Sequence, residues 1–153
     1  MYVVNVDEPG KLAIVPKFSD ALQVEVCAKL EAELAELSIE EGKEYMKSLG
    51  MHESGLDKII VAGYTLLNLL TYFTSGPEET RAWTVQKGTL APDAAGVIHT
   101  DFVKGFVKAD VTPWEAFVEH HGWSGVRPSG KLQLVGRDYV VKDGDVCYFH
   151  IAS

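Results

Sequence analysis

The feature that most constrains the fold is a long apolar run with helical spacing between Leu56 and Tyr72. Ser54 and Asp57 form a capping-box pattern just before it, which is typical of a helix N-terminus. Apolar and small residues then recur three and four positions apart, at Leu56, Ile59, Ile60, Gly63, Leu66, Leu67 and Leu70. The pattern predicts a helix from Ser54 to about Tyr72. A helix this apolar must be packed on several sides, so other elements have to surround it.

Two short strands and two helices are predicted before that helix. The apolar runs Tyr2 to Val6 and Ala21 to Val26 are typical of parallel strands covered by helices, with a loop from Pro9 to Pro16 between them. Helical spacing then predicts one helix over residues 28–37. A Ser38–Glu41 capping box predicts another that ends near Gly50. The first half is therefore predicted to be α/β.

A different pattern follows the breaker residues 74–77. Strands are predicted at 80–87 and 106–111, with Val107, Ala109 and Val111 pointing inward, and helices begin at Pro92 and at a Thr112–Glu115 capping box. Three short strands follow at 132–135, 139–141 and 146–151, the last two joined as a hairpin through Asp143-Gly144. We expect a small mixed sheet with helices on one face, and a domain boundary between residues 74 and 75.

Charge and composition exclude some function classes. The formal net charge of −8 argues against a protein that simply coats nucleic acid. Residues 75–153 are nearly balanced, with 8 Lys and Arg against 10 Asp and Glu, so this half could still present a local basic face. No apolar stretch is long enough to span a membrane and no signal peptide is recognisable, so we expect a soluble, cytoplasmic protein without a membrane partner. Cys27 and Cys147 are isolated and are expected in the core.

A weak binding motif stands at the end of the first strand. At the carboxyl edge of an α/β sheet, an Asn amide and a carboxylate three residues later, here Asn5 and Glu8, can hydrogen-bond the edge of a nucleobase. The segment after the next strand, residues 27–29, would line the same base. The alternative is that Asn5 and Glu8 only form a turn and a cap.

Motifs of other enzymes are absent from the sequence. It has no G-x-S-x-G elbow and no H-E-x-x-H pair, and the adjacent His120 and His121 cannot face one ligand from a helix. It also has no G-x-x-x-x-G-K-[ST] loop to hold phosphates and Mg²⁺. Since phosphoryl transfer depends on positioning and neutralising phosphates, we do not expect this chain to hydrolyse ATP or GTP by itself.

Several stretches resemble the C-terminal portion of the YchF family, the Obg-like ATPases. They are NVDE, CAKLEAELAEL, ESGLDKIIVAGYTLLNLLTYFTSGPEETRAWTVQKGT, APDAAGVIHTDFVKGFVKADV and GRDYVVKDGDV. The resemblance implies that residues 1–74 are an α/β remnant of a P-loop NTPase domain and that residues 75–153 are a TGS domain, an α+β ubiquitin-like β-grasp. It also implies nucleotide base-binding roles for Asn5, Val6, Glu8, Cys27, Ala28 and Lys29, with ATP favoured over GTP.

The same resemblance leaves two functional interpretations open. In the first, this is a truncated or split YchF-type protein whose TGS domain binds the ribosome or RNA in translation-related regulation. In the second, it is the C-terminal part of a complete Obg-like ATPase, and ATP or GTP with Mg²⁺ binds only when a P-loop half, on this or another polypeptide, is present. Strand edges within residues 1–37 would then be uncovered in this chain, so we expect self-association through them.

Basic and aromatic residues of the second half are candidates for RNA or ribosome contact. They are Arg81, Lys87, His99, Lys104, Lys108 and Arg137, with Arg127, Lys131 and Lys142 as further phosphate contacts. Trp83, Trp123 and Tyr139 are candidates for stacking on unpaired bases. The alternatives are a core position for Trp83, a packing or capping position for His99 and ordinary solvated surface for the basic residues.

Overall fold

The chain forms two compact units in a computed structural model that describes residues 1–8 and 21–152. One unit comprises residues 1–67 and the other residues 68–153. The division falls seven residues before the boundary expected from the sequence. The loop predicted from Pro9 to Pro16 lies outside the described residues.

The described residues of the first unit form two parallel strands and three helices. Strand β1 (Tyr2–Asn5) lies beside β2 (Gln23–Val26), which confirms the predicted parallel pairing. The helices are α1 (Ala28–Ala35), α2 (Ile39–Ser48) and α3 (Gly55–Leu66). The core of this unit is small: buried Val6, Cys27 and Leu30 are packed against Val4, Leu34, Tyr45 and Met51.

Both predicted capping boxes of the first unit are present. Ser38 and Glu41 exchange side-chain and backbone hydrogen bonds at the start of α2, and Ser54 and Asp57 do the same at the start of α3. The α3 terminus has a further acceptor, because the Glu31 carboxylate receives hydrogen bonds from Gly55 N at 2.7 Å and Leu56 N at 3.3 Å. A helix start leaves backbone N–H groups without partners, so Glu31 ties α1 to α3.

The prediction that α3 continues to Tyr72 is wrong. The helix ends at Leu66, Asn68 has a φ of +55°, and Leu69–Ser75 forms strand β3. Leu70 and Tyr72 are buried on alternate positions of that strand, and all seven of its residues pair with the next strand. The dense leucines fit a helical and an alternating pattern equally well, and the long-range strand pairing decides between them.

The second unit is a five-stranded mixed sheet with four helices. The strands are β3, β4 (Thr80–Gln86), β5 (Phe106–Pro113), β6 (Gln133–Val135) and β7 (Asp145–Ile151), in the order β4-β3-β7-β5-β6. The pairs β3–β4, β5–β6 and β5–β7 are antiparallel, whereas β3 and β7 are parallel. The helices are α4 (Ala91–Ile98), α5 (Asp101–Gly105), α6 (Trp114–Glu119) and α7 (Trp123–Ser129).

One face of this sheet packs against α4 and forms the main core. Buried residues from the central strands and the small residues of α4 make up the cluster: Leu70, Tyr72, Val85, Ala91, Ala94, Ala95, Phe106, Ala109, Val111, Val141 and Cys147. The Tyr72 hydroxyl donates a hydrogen bond to the Ala94 carbonyl at 2.8 Å, which satisfies its polar group in the core. The predicted mixed sheet is confirmed. The predicted placement of the helices on one face is wrong, because Trp123 of α7 contacts Tyr148, which alternates with core residue Cys147 and so lies on the opposite face.

Two local predictions in the second unit are wrong. Val107 is 54% exposed and Phe106 is buried in its place, because the β5–β7 register shifts between Phe106 and Lys108. Residues 139–141 form no hairpin with β7: Val140 makes an isolated bridge to Leu90, while β7 pairs with β5 and β3. The Asp-Gly turn is present, with Gly144 at a φ of +80°, but the strand it leads into has other partners.

The predicted capping box at Thr112 is also wrong. Thr112 lies within β5 and is fully buried, and α6 begins after Pro113 without a side-chain cap. Helix α7 had no counterpart among the predicted elements. Among the described residues, no helix has the length and apolar composition needed to cross a membrane.

Candidate functional sites

The predicted base-binding segments come together at the carboxyl edge of β1 and β2. The Asn5 side-chain Oδ1 accepts a hydrogen bond from Ala28 N at 3.0 Å, and Val6 N donates to Val26 O at 2.8 Å. The first of these bonds ties the turn after β1 to the first residue of α1. Sequence-distant residues of the motif are therefore adjacent in space.

The six candidate residues at this edge divide into buried and exposed groups. Val6 and Cys27 are buried in the core of the first unit, and the Cys27 thiol donates to Asp7 O at 3.4 Å. Asn5, Glu8, Ala28 and Lys29 are exposed. The buried pair can only shape the edge, whereas the exposed four are accessible to a ligand.

The basic candidates of the second unit do not form one patch. Arg81 lies on β4 and Lys87 just after it, at one side of the sheet, whereas Lys104 precedes β5 and Lys108 lies on it. Strands β3 and β7 separate β4 from β5. Three strand spacings amount to about 14 Å, so these cations belong to two separate regions.

Arg137, Arg81 and His99 have local partners. The Arg137 guanidinium donates to Phe106 O at 2.7 Å and to Val103 O at 3.1 Å, so it holds the junction between α5 and β5. The Arg81 guanidinium stacks over the Trp83 ring, with Cζ 4.4 Å from the ring centroid. The His99 ring Nδ1 accepts a hydrogen bond from Asp101 N at 3.2 Å.

Two of the three aromatic candidates are held by structural contacts. The Trp83 indole packs against the core and donates to Thr74 Oγ1 at 2.8 Å. The Tyr139 hydroxyl donates to Asp145 Oδ2 at 2.8 Å, and burial together with this hydrogen bond raises the pKa of the phenol. Neither ring is presented as an open stacking surface.

Trp123 belongs to a groove that the sequence did not predict. We call it the aromatic groove; it has a volume of about 840 Å³ and is lined by Ser75, Gly76, Pro77, Phe117, Val118, His121, Gly122, Trp123, Ser124, Arg127, Tyr148 and His150. Its residues come from α6, α7 and the neighbouring ends of β3 and β7. Two residues singled out from the sequence, Trp123 and Arg127, lie in it.

A chain of edge-to-face aromatic contacts forms one side of the aromatic groove. The Trp123 ring is 5.0 Å from Phe117 and 6.2 Å from Tyr148, and Tyr148 is 5.1 Å from the His150 ring, between centroids. The Trp123 indole N–H donates to Ser75 O at 2.8 Å, which fixes the ring against the end of β3. Such pairs favour this geometry and stabilise each other beyond simple burial.

An acidic side chain lies behind the groove, next to Arg127 and His150. Asp110 Oδ2 lies 3.6 Å from an Arg127 guanidinium nitrogen and 3.3 Å from His150 Nε2. The Asp110 side chain is only 10% exposed, whereas Arg127 is 63% exposed. The carboxylate therefore lies beneath both groups, while Arg127 remains accessible.

The groove was missed because α7 was missed. Tyr148 and His150 alternate with core residue Cys147 along β7, a period-two signal that places them on the face opposite the core. That alternation is readable in the sequence. Their closeness to Trp123 is not, because it depends on the tertiary position of α7.

Comparisons with known proteins identify the family. The family model YchF-GTPase_C, described as a protein of unknown function (DUF933), matches residues 69–152, which is nearly the whole second unit. The chain is 48% identical to the ribosome-binding ATPase YchF of Haemophilus influenzae over 97% of its own length and 43% of that protein's. It is 48% identical to Obg-like ATPase 1 of Homo sapiens over 84% of the chain and 32% of that protein.

A solved structure agrees with these matches. The Schizosaccharomyces pombe YchF GTPase matches 86% of this chain and 34% of its own, with 39% identity and a TM-score of 0.75. The two units thus correspond to the C-terminal part of that protein. The chain belongs to the YchF family of Obg-like ATPases, as its resemblance indicated, and spans less than half the length of these relatives.

Proposed function

We propose that the second unit is a TGS-type β-grasp domain that binds the ribosome in translation-related regulation. The observation that carries the proposal is the 97% coverage of this chain by a relative named a ribosome-binding ATPase. The strand order supports the fold assignment. When the five strands of this unit are numbered along the chain, their order across the sheet is second, first, fifth, third and fourth, and the first and fifth strands are parallel. That arrangement is typical of ubiquitin-like β-grasp domains. A cytoplasmic location is part of the same proposal.

Co-sedimentation with purified ribosomes tests this function. We expect the full chain to pellet with ribosomes at low salt and to be released as salt rises, because contacts with phosphates weaken with ionic strength. A Lys104→Gln/Lys108→Gln variant should pellet less. Lys43→Gln/Lys47→Gln is the matched control, because it removes the same charge from exposed positions on α2 of the first unit. Failure of the wild-type chain to pellet under any salt condition would refute the proposal.

A second candidate function is completion of a nucleotide site. Its supporting observation is the Asn5–Ala28 hydrogen bond, which brings the two base-binding segments together. The residues at this edge suit the base of ATP or GTP, whereas the sequence has no phosphate-binding loop, so a P-loop segment would have to supply the phosphate and Mg²⁺ contacts. Exposed apolar residues of α3, including Ile60, Val61 and Leu66, offer such a segment a packing surface.

Calorimetric titration distinguishes the two candidates. Added ATP with Mg²⁺ should give no measurable heat with this chain alone, because the base contacts by themselves are too few for stable binding. Binding should appear when a P-loop-containing segment of a relative is supplied. An Asn5→Ala change should then weaken binding, while Asn68→Ala, which alters an Asn of the second unit, should not. Equal binding by both variants would contradict a base-recognition role for Asn5.

A further inference from the structure

We infer that the aromatic groove binds one unpaired nucleotide of single-stranded RNA, with the base against Trp123 and Tyr148 and the phosphate at Arg127. This inference rests on the proposed function and deepens it, because it names the contact site and the chemical form of the RNA. It goes beyond the basic residues expected from the sequence, which lie in separate regions of the second unit.

The side chains that line the groove differ in charge from the acidic chain as a whole. The protein carries 22 Asp and Glu residues and a formal net charge of −8. None of the groove's lining residues is acidic, and they include one arginine and two histidines. Asp110, which lies beside Arg127 and His150, is only 10% exposed, whereas the Arg127 side chain is 63% exposed. The accessible charged group of the groove is therefore Arg127, which favours an anionic ligand.

A neighbouring lysine extends the positive region along the sheet. Lys108 on β5 is directly opposite His150 on β7, and side chains of directly opposed residues lie on the same face of a sheet. Lys108 therefore shares the face that carries the groove. A strand of RNA leaving the groove in that direction would meet a second cation for its next phosphate.

The aromatic surface fits a base. Tyr148 is 46% exposed, so its ring is accessible, and Trp123 is held in place through its bond to Ser75 O. Stacking on such rings requires no hydrogen-bond pattern from the base and is worth about 1–3 kcal/mol per base. A ring already fixed in position loses little rotamer freedom on binding, which favours affinity.

The polar groups favour a nucleotide over an apolar peptide. Arg127 has five N–H donors, and one of its nitrogens lies 3.6 Å from Asp110 Oδ2. An apolar peptide would desolvate this cation without pairing it, which is costly. A phosphate would pair it. The volume of about 840 Å³ is also in the range of small-ligand sites.

Anisotropy of a fluorescein-labelled single-stranded RNA of about six nucleotides measures the binding. We expect the full chain to bind this RNA and to bind a duplex of the same length more weakly. Tyr148→Ala should weaken binding by roughly 30-fold, which corresponds to the middle of the stacking range, and Tyr148→Phe, which keeps the ring, should retain wild-type affinity. Arg127→Gln should reduce the slope of the logarithm of RNA affinity against the logarithm of salt concentration by about one phosphate contact. Arg127→Lys, which keeps the charge, should restore the wild-type slope.

Controls separate this inference from the proposed function and from misfolding. Lys47→Gln removes an exposed cation of α2 in the first unit that does not line the groove, and it should bind RNA like the wild type. Near-UV circular dichroism verifies that the aromatic packing of each variant is intact. Each variant is also sedimented with ribosomes.

The outcomes are distinct. Loss of RNA and ribosome binding in Tyr148→Ala, with retention in Tyr148→Phe and Lys47→Gln, supports RNA binding in the groove. Suppose instead that the wild type pellets with ribosomes, and that Tyr148→Ala and Arg127→Gln bind RNA with wild-type affinity. RNA binding in the aromatic groove is then refuted, and the proposed function stands. Ribosome pelleting without any binding of the free RNA also refutes the groove and favours a protein contact. A wild type that binds neither ribosomes nor RNA overturns both proposals.

Discussion

Replacing Glu31 should loosen the first unit far more than replacing another glutamate of the same helix. Glu31 accepts hydrogen bonds from Gly55 N at 2.7 Å and Leu56 N at 3.3 Å, and Gly55 is buried. Glu31→Ala leaves a buried amide without its acceptor, which costs about 2 kcal/mol. Glu31→Gln keeps an acceptor but loses the charge. It should cost about half as much, since charge-assisted hydrogen bonds are roughly twice as strong as neutral ones.

Thiol labelling of Cys27 reports on this unit specifically. The thiol is 6% exposed and lies in the core of the first unit, so labelling requires that unit to open. A loss of about 2 kcal/mol raises the open population, and hence the labelling rate, roughly 30-fold. Mass spectrometry of peptides resolves labelled Cys27 from labelled Cys147. All three tryptophans lie in the second unit, so tryptophan fluorescence should be unchanged.

Glu36→Ala is the matched control, because it removes an exposed carboxylate at the C-terminal end of the same helix. It should change the labelling rate by less than about 2-fold, as surface substitutions usually do. If Glu31→Ala accelerates labelling no more than Glu36→Ala does, the two backbone hydrogen bonds contribute little. The argument that α1 and α3 are tied by this carboxylate would then be wrong.

Three further predictions follow from burial and edge exposure. Burial raises the pKa of Asp145 despite its hydrogen bonds from Lys142 N and the Tyr139 hydroxyl, so the folded state holds the proton more tightly than the unfolded chain. The free energy of unfolding should therefore be highest below the ordinary aspartate pKa and fall as pH rises through the raised pKa of Asp145. Urea titrations at several pH values measure this fall, and Asp145→Asn should abolish it. Burial also raises the pKa of the Cys147 thiol, which lies in the larger core of the second unit. Because the thiolate is the reactive form, iodoacetamide should modify Cys147 more slowly than Cys27. Equal modification rates for the two thiols would contradict the stronger burial of Cys147. Val3 is exposed on β1, and sedimentation equilibrium should show self-association that Val3→Lys reduces, whereas a monomer at all concentrations would refute association through this strand.

The sequence predicted elements whose signals are local. Capping boxes at Ser38 and Ser54 fixed the starts of α2 and α3, and alternation predicted β4 and most of β5. The end of α3 was mispredicted because the leucines near residue 70 satisfy both periods. Long-range pairing resolved that ambiguity, and it also replaced the expected final hairpin with pairing of β7 to β5 and β3.

The two candidate sites also differ in how far the sequence alone predicts them. The edge formed by Asn5 and Ala28 was predictable because residues that follow adjacent parallel strands meet at one end of the sheet. The aromatic groove depends on where α7 lies against β7, for which no local pattern exists. Trp123 was recognised as a residue able to stack, but its neighbours Tyr148 and His150 became visible only in the folded chain.

Hydrogen exchange of the full chain with and without ribosomes tests the central claim most directly, because it locates the binding surface without any substitution. We predict slower exchange on ribosome addition in the second unit, within α6, α7 and the outer part of β7, whose residues line the aromatic groove. The first unit should exchange unchanged. Protection confined to residues 1–67, or no protection in either unit while the chain pellets with ribosomes, would contradict ribosome binding through the β-grasp unit.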